Sequence, residues 1–236
     1  HGRDNRLCVW QLRLGDEVAF STTLPIDDAV SERKKPWLLH SLPVNALNFC
    51  SFAMCKVPAS WDTSRPEQAA NNRILVAVPG LHDGHINVNV LPSEDRIATI
   101  TDPKSIQTGM VMAIGLHFQN NKLHVMAGYE SGYVCVFTKN NTTGQWQASY
   151  TAKAHTQPVL SLDLSTPSGH FYSSSADDII ARHSLLQHEN AEPKIVHTKH
   201  AGQQSLVVRA DGRIFATAGW DGRIRVYSAK TMKELA

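Results

Sequence analysis

Short runs in which apolar and polar residues alternate, broken by turns rich in Gly, Asp and Ser, recur along the whole chain. The runs Ile74–Val78, Leu123–Ala127, Phe171–Ser175 and Ile214–Ala218 each lead into such a turn. A further run precedes each of them, over Val44–Phe49, Met110–Leu116, Val159–Leu164 and Leu206–Arg209. Val, Ile and aromatic residues at a period of two suit pleated, half-buried strands. No stretch sustains a helical period, so the pattern predicts an all-β chain.

The turns repeat. HGRDNRLCVW, GLHDGHINVNV, AGYESGYVCVF, SSSADDIIARH and TAGWDGRIRVY share a small or polar strand end, a tight turn and an alternating strand. Asp4, Asp83, Ser131, Asp177 and Asp221 stand six residues before Trp10, Asn89, Phe137, His183 and Tyr227, which fixes the register. The turn positions are 79, 48, 46 and 44 residues apart. Three of these spacings match the period of a four-stranded propeller blade, about 40–45 residues. An antiparallel sandwich also spaces short strands evenly, but does not predict an Asp turn recurring at that interval. The expected fold is a β-propeller with four nearly complete blades and a partial one over residues 1–236, its ring not closed within the chain. Surface insertions are expected at 14–37, with a strand near Val18–Phe20, and at 55–73. The second is polar and Pro-rich and is expected to be a mobile insertion, with an ordered contact loop as the alternative that its Trp61 argues for.

A second regularity precedes the inner strands: His40-Ser41-Leu42-Pro43-Val44 and His155-Thr156-Gln157-Pro158-Val159, with His200 similarly placed before the last. Here the chain resembles the WD-repeat family. That resemblance implies a hydrogen-bonded chain within a blade: a loop His, a second-strand Ser or Thr, the turn Asp and a third-strand Trp. His200, Thr217, Asp221 and Tyr227 match it best, with Tyr in place of Trp. His155, Ser173, Asp177 and His183 come next, with the aromatic lost. Removing Asp221 is therefore expected to strand a buried imidazole, and Ser131 to matter less.

The formal charge is only +2, from 23 basic and 21 acidic residues. That argues against direct nucleic-acid binding through bulk electrostatics. Apolar runs such as Met110–Ile114 are too short to cross a bilayer, so no membrane association is expected. Four scattered cysteines favour a reducing compartment and free thiols. The opening on His1, without a leader, is expected of a piece of a longer protein.

Candidate chemistry is sparse. His82-Asp83-Gly84-His85 has metal-ligating residue types but occupies a hairpin turn and matches neither a zinc-finger nor a HExxH arrangement. Phosphate loops and GxSxG are absent from the sequence, so no cofactor, metal or catalytic residue is assigned. Ser173, His155 and Asp177 have the types of a hydrolytic triad, yet the repeat accounts for all three. A small-ligand or catalytic funnel would need convergent acids at the inner-strand starts, where Val44, Met110, Val159 and Leu206 stand instead. A G-protein beta subunit would need an N-terminal coiled-coil helix. The reading is a non-catalytic interaction scaffold, with Trp220, Arg223 and Arg225 on the rim and Tyr129 nearby as contact residues.

TAGWDGRIRVYSAKTMKELA, AGYESGYVCVF, GRDNRLCVWQL and the AVPG before Asp83 are more specific together than a generic repeat. They resemble the fungal ASTRA-associated protein 1 family and its animal relative, the guanine-nucleotide-binding-protein beta-subunit-like protein. The resemblance runs from Gly2 to Ala236. It implies a nuclear adaptor linked to chromatin regulation, with ASTRA subunits as partners. It also implies work with co-chaperones that mature the large phosphatidylinositol-kinase-like kinases.

Overall fold

The computed structural model describes residues 5–17, 36–45, 50, 52–61, 73–185 and 192–236. These fall into two compact units, 1–46 and 47–236. Asp4 and the expected strand near Val18–Phe20 lie outside the described residues, as does most of the expected inner strand Val44–Phe49.

In the first unit β1 (Arg6–Gln11) pairs antiparallel with β2 (Trp37–Pro43), with a bulge at Val9/Trp10. Leu7 and Leu42 stand opposite each other and are buried. A single helical turn, Leu14–Glu17, follows β1, and the Arg13 guanidinium lies 5.2 Å over the Trp37 ring. His40, expected in a loop before an inner strand, is instead inside β2.

The second unit contains four antiparallel sheets. Blade I comprises β3 (Ala53–Lys56), β4 (Ile74–Pro79), β5 (Ile86–Leu91) and β6 (Asp95–Ile100). Blade II comprises β7 (Val111–Gln119), β8 (Lys122–Tyr129), β9 (Tyr133–Lys139) and β10 (Trp146–Lys153). Blade III comprises β11 (Val159–Ser165), β12 (His170–Ser175), β13 (Ile179–Ser184) and β14 (Lys194–His197). Blade IV comprises β15 (Gln203–Val208), β16 (Ile214–Gly219) and β17 (Ile224–Ser228), with a bridge from Tyr227 to Glu234. Each strand pairs with the next in sequence, and the first strands β3, β7, β11 and β15 are successive neighbours. This is the architecture of a partial, unclosed β-propeller.

Alternation on both strand faces explains the packing. On β8, Leu123, Val125, Ala127 and Tyr129 join the core shared with blade I, whereas Met126 joins the core shared with blade III. On β12, Phe171 faces blade II and Tyr172 faces blade IV. The sheets of blades II and III therefore bury both faces, whereas the outer face of blade IV leaves Val207 and Ile224 exposed, and three cores lie between the four blades.

Blade I departs from expectation at its first strand. Ala53–Lys56 pairs with β4, so Cys55 belongs to the strand rather than to the insertion. The residues that follow turn back on the protein. Trp61 packs edge-on against Phe118 with ring centroids 5.3 Å apart. Ser60 donates its hydroxyl to the Asn121 side chain, whose amide donates back to the Ser60 carbonyl. The contact that Trp61 argues for is thus made within the chain, to the β7–β8 hairpin. Residues 62–72 lie outside the described residues.

Candidate functional site

The recurring turn places one acidic or hydroxyl side chain at the same end of each blade, and the neighbouring side chains decide what it does. In blade III, Asp177 Oδ1 accepts the Ile179 amide at 2.9 Å and Oδ2 the Thr156 amide at 2.8 Å. His155 Nδ1 is 3.3 Å from Oδ1, and its Nε2 is 2.7 Å from Ser173 Oγ. Ser173 Oγ is also 2.8 Å from His183 Nε2, and His183 Nδ1 is 2.8 Å from the Tyr150 hydroxyl. One proton assignment satisfies every member. Tyr150 O–H donates to His183, His183 Nε2–H to Ser173, Ser173 O–H to His155, and His155 Nδ1–H to the carboxylate. The negative charge sits on Asp177, and His183 is a neutral ring.

Electrostatics fix two members, Asp177 as the anion and His183 as a neutral ring. Burial alone would raise the Asp177 carboxyl, but the His155 bond and the two amides outweigh it and hold the group at about 2. Burial, with the adjacent His155 ring, pulls His183 down to about 3. Burial pushes the Tyr150 phenol above its ordinary range. His183 stands where the repeat carries an aromatic, and it keeps the aromatic's packing: it stacks on Phe171 at 4.6 Å and 17°. Because Tyr150 belongs to β10, the relay crosses from blade II to blade III. Sequence reasoning missed Tyr150; its signal is the aromatic five residues before His155.

The Ser173–His155–Asp177 geometry is that of a triad without access. Ser173 is completely buried and its hydroxyl is shared between two imidazoles, so no substrate carbonyl reaches it.

Blade IV differs. The expected chain from His200 through Thr217 and Asp221 to Tyr227 does not form. Asp221 is bound by Arg225 at 2.6 and 3.2 Å and by the Arg223 amide at 3.2 Å. His200 Nδ1 stands 4.0 Å away on an exposed ring. The cause is the residue four positions after the turn: Arg225 in blade IV, Ala181 in blade III. A guanidinium on the same strand face as Tyr227 reaches the carboxylate and displaces the loop imidazole. Thr217 and Tyr227 are buried nonetheless, and Tyr227 stacks on Phe215 at 5.0 Å and 10°. In blade II, Ser131 offers no carboxylate, and Lys153 donates to its carbonyl.

Two expected contact residues are therefore corrected. Tyr129 is completely buried in the core between blades I and II, its hydroxyl 3.5 Å from the Gly84 carbonyl. The Arg225 side chain is only 7% exposed and is committed to Asp221. Trp220 and Arg223 remain on the surface. Trp220 is 60% exposed, yet its position is fixed. Its Nε1–H donates to Gln204 Oε1 at 2.8 Å and its amide donates to the Gly202 carbonyl at 2.8 Å. Gly202, at φ +81°, lets the indole lie on bare backbone, where an added Cβ would come within 2.3 Å of the ring. Ile224 is exposed beside it, and Lys199, His200 and Arg223 are exposed on the same blade. The result is a rigid aromatic anchor with a cationic border, the composition that concentrates binding energy at protein interfaces.

Among the described residues no group of three His, Cys, Asp or Glu side chains is arranged to hold a metal ion. No helix among them is long and apolar enough to cross a membrane. All four cysteines are free thiols, and burial pushes Cys50, Cys55 and Cys135 up to about 12.

The WD domain, G-beta repeat family matches residues 192–228, which contain blade IV. Over its whole length the chain is 44% identical to ASTRA-associated protein 1 of Penicillium rubens, covering 61% of that protein. It is 34% identical to ASTRA-associated protein 1 of Schizosaccharomyces japonicus, covering 71%. It is 28% identical to guanine nucleotide-binding protein subunit beta-like protein 1 of Mus musculus, covering 62%. The chain spans about three-fifths of the length of the first of these relatives.

Proposed function

The chain belongs to the ASTRA-associated protein 1 family of WD-repeat proteins, and from that premise we propose a non-catalytic scaffold that holds subunits of the ASTRA assembly. The observation that carries this reading is the match of the whole chain to proteins named for that assembly. The surface around Trp220 supports it: a partner meets an aromatic already fixed by Gln204 and Gly202, and little ordering cost is added on binding. In this reading the full-length protein works in the nucleus. It contributes to chromatin regulation and, with co-chaperones, to maturation of the phosphatidylinositol-kinase-like kinases.

The test is affinity purification of tagged full-length protein from fungal cells. Wild type should co-purify ASTRA subunits and large-kinase co-chaperones; recovery of neither refutes the assignment. Trp220→Ala and Arg223→Ala should reduce that recovery at an unchanged level of soluble protein. Unchanged recovery with both would move the contact to another face.

A further inference from the structure

At the far end of blades III and IV from Trp220 lies a groove of about 340 Å³ lined by Ser168, His170, Tyr172, Arg182, Arg213 and Lys230. The six come from the β11–β12 turn, β12, β13, the β15–β16 turn and the residues after β17. No carboxylate lines it among the described residues. Asp211, the acid on the same turn as Arg213, is bound by Arg209 at 2.9 and 2.6 Å.

Arg182 is the fixed point. It is half-buried, on the face of β13 turned toward blade IV, and its Nη1 donates to the carbonyls of Ala229 at 3.3 Å and Lys230 at 3.1 Å. The Tyr172 hydroxyl donates to the same Ala229 carbonyl at 3.0 Å. The guanidinium is thus oriented by neutral acceptors and keeps its full charge. Lys194 donates to the Thr231 carbonyl at 3.3 Å, adding a fourth cation beside the groove. Gly212, at φ +67° against Ser165 and Pro167, sets the tight turn that brings Arg213 to the rim. His170 senses the result: burial and then the Arg182 charge lower its pKa, so its ring opposes no anion and adds no charge of its own.

We propose that this groove binds a phosphate monoester carried on a segment of a partner protein. Arg182, Arg213 and Lys230, none of them in an ion pair among the described residues, exceed what one carboxylate neutralises. A phosphate near −2 with three acceptor oxygens matches guanidinium and ammonium donors set at different angles. Arg182 is recessed between hairpins, where an extended side chain ending in phosphate reaches it. The proposal rests on the scaffold reading only in taking a protein as the source of the phosphate.

Amide NMR shifts of full-length protein at constant ionic strength, with N-acetyl-phosphoserine amide as the probe, test it. Saturable shifts are expected at Gly212 and Lys230, and none with N-acetyl-serine amide. Arg213→Glu, an exposed change that spares the fold, should weaken binding about tenfold or more; Arg223→Glu, at the other end of the blade, should leave it unchanged. A non-saturating response, an equal response to the unphosphorylated probe, or equal weakening by Arg223→Glu overturns the proposal. Inorganic phosphate binding about tenfold more tightly than the phosphoserine probe assigns the groove to the free ion and also overturns it. So does binding to phosphoinositide-bearing vesicles without any response to the probe. These readings in vitro are independent of ASTRA co-purification, so failure of one leaves the other standing.

Discussion

The two seams that flank blade III have the same ring geometry and opposite chemistry. Between blades II and III, His183 stacks on Phe171 and carries a polar relay from Tyr150 to Asp177. Between blades III and IV, Tyr227 stacks on Phe215, which packs against Tyr172 at 4.7 Å, and the turn carboxylate is diverted to Arg225. One position of the repeat thus supports a blade in two ways. Where Ala follows four residues after the turn Asp, the carboxylate orients a buried imidazole; where Arg follows, it forms a half-exposed ion pair and the seam relies on ring burial. A buried relay is costly to leave half-made, whereas an ion pair whose carboxylate meets solvent is partly screened.

The largest effect should come from Asp177→Ala. It leaves the His155 N–H and the Thr156 and Ile179 amides without their acceptor, a loss of about 2–3 kcal/mol in urea unfolding of the full-length protein. An effect indistinguishable from a surface control would break the comparison.

Acid should act on the same seam. His183 titrates near its ordinary 6.5 when unfolded and at about 3 when folded. Below pH 6.5 the unfolded chain takes up a proton that the folded chain refuses. Stability is therefore fully present above that pH and falls by up to about 1.4 kcal/mol per pH unit toward pH 3. His124, lowered to about 4 chiefly by burial, contributes in the same direction. Unfolding of His183→Phe at pH 7, 6 and 5 should show a shallower slope, by a difference that grows toward about one proton at pH 5, whatever its absolute stability. A slope as steep as wild type would place the titration elsewhere.

Asp221→Ala should cost less than Asp177→Ala under the same conditions, because His200 and the Asp221 carboxylate itself reach solvent. A loss as large as that of Asp177→Ala would mean that blade IV depends on its turn acid after all. Smallest on stability is Trp220→Ala, expected to shift unfolding by no more than about 0.5 kcal/mol because the indole is mostly exposed. Gly202→Ala sharpens the point. Its Cβ pushes the indole off its seat and strains the backbone at φ +81°, so Trp220 fluorescence should shift and the unfolding midpoint should fall further than in Trp220→Ala.

The period-two alternation and the spacing of the turns were enough to place β4, β8, β12 and β16 to within about two residues, because each is rich in strand-forming residues and leads into the recurring turn. The first strand of blade I was not legible. Val44–Phe49 and Ala53–Lys56 are both short and apolar, and only pairing with β4 distinguishes them. At the site, the repeat register brought His155, Ser173, Asp177 and His183 to one place, but ranked blade IV above blade III on its aromatic. The deciding residue was Arg225, whose reach to Asp221 follows from strand geometry and was readable from the spacing of four. Tyr129 reads as a surface residue in the sequence because the sequence of one blade does not show what the next blade covers. The cations of the far groove lie on separate hairpins, and no local pattern connects them.

Imidazole ¹⁵N NMR of the full-length protein reads the relay itself. A neutral His183 ring carrying its proton on Nε2 is expected at pH 6, with a proton on Nδ1 of His155 and loss of that His155 pattern in Asp177→Ala. A charged His183 at pH 6, or the reverse tautomers in the wild type, would contradict it.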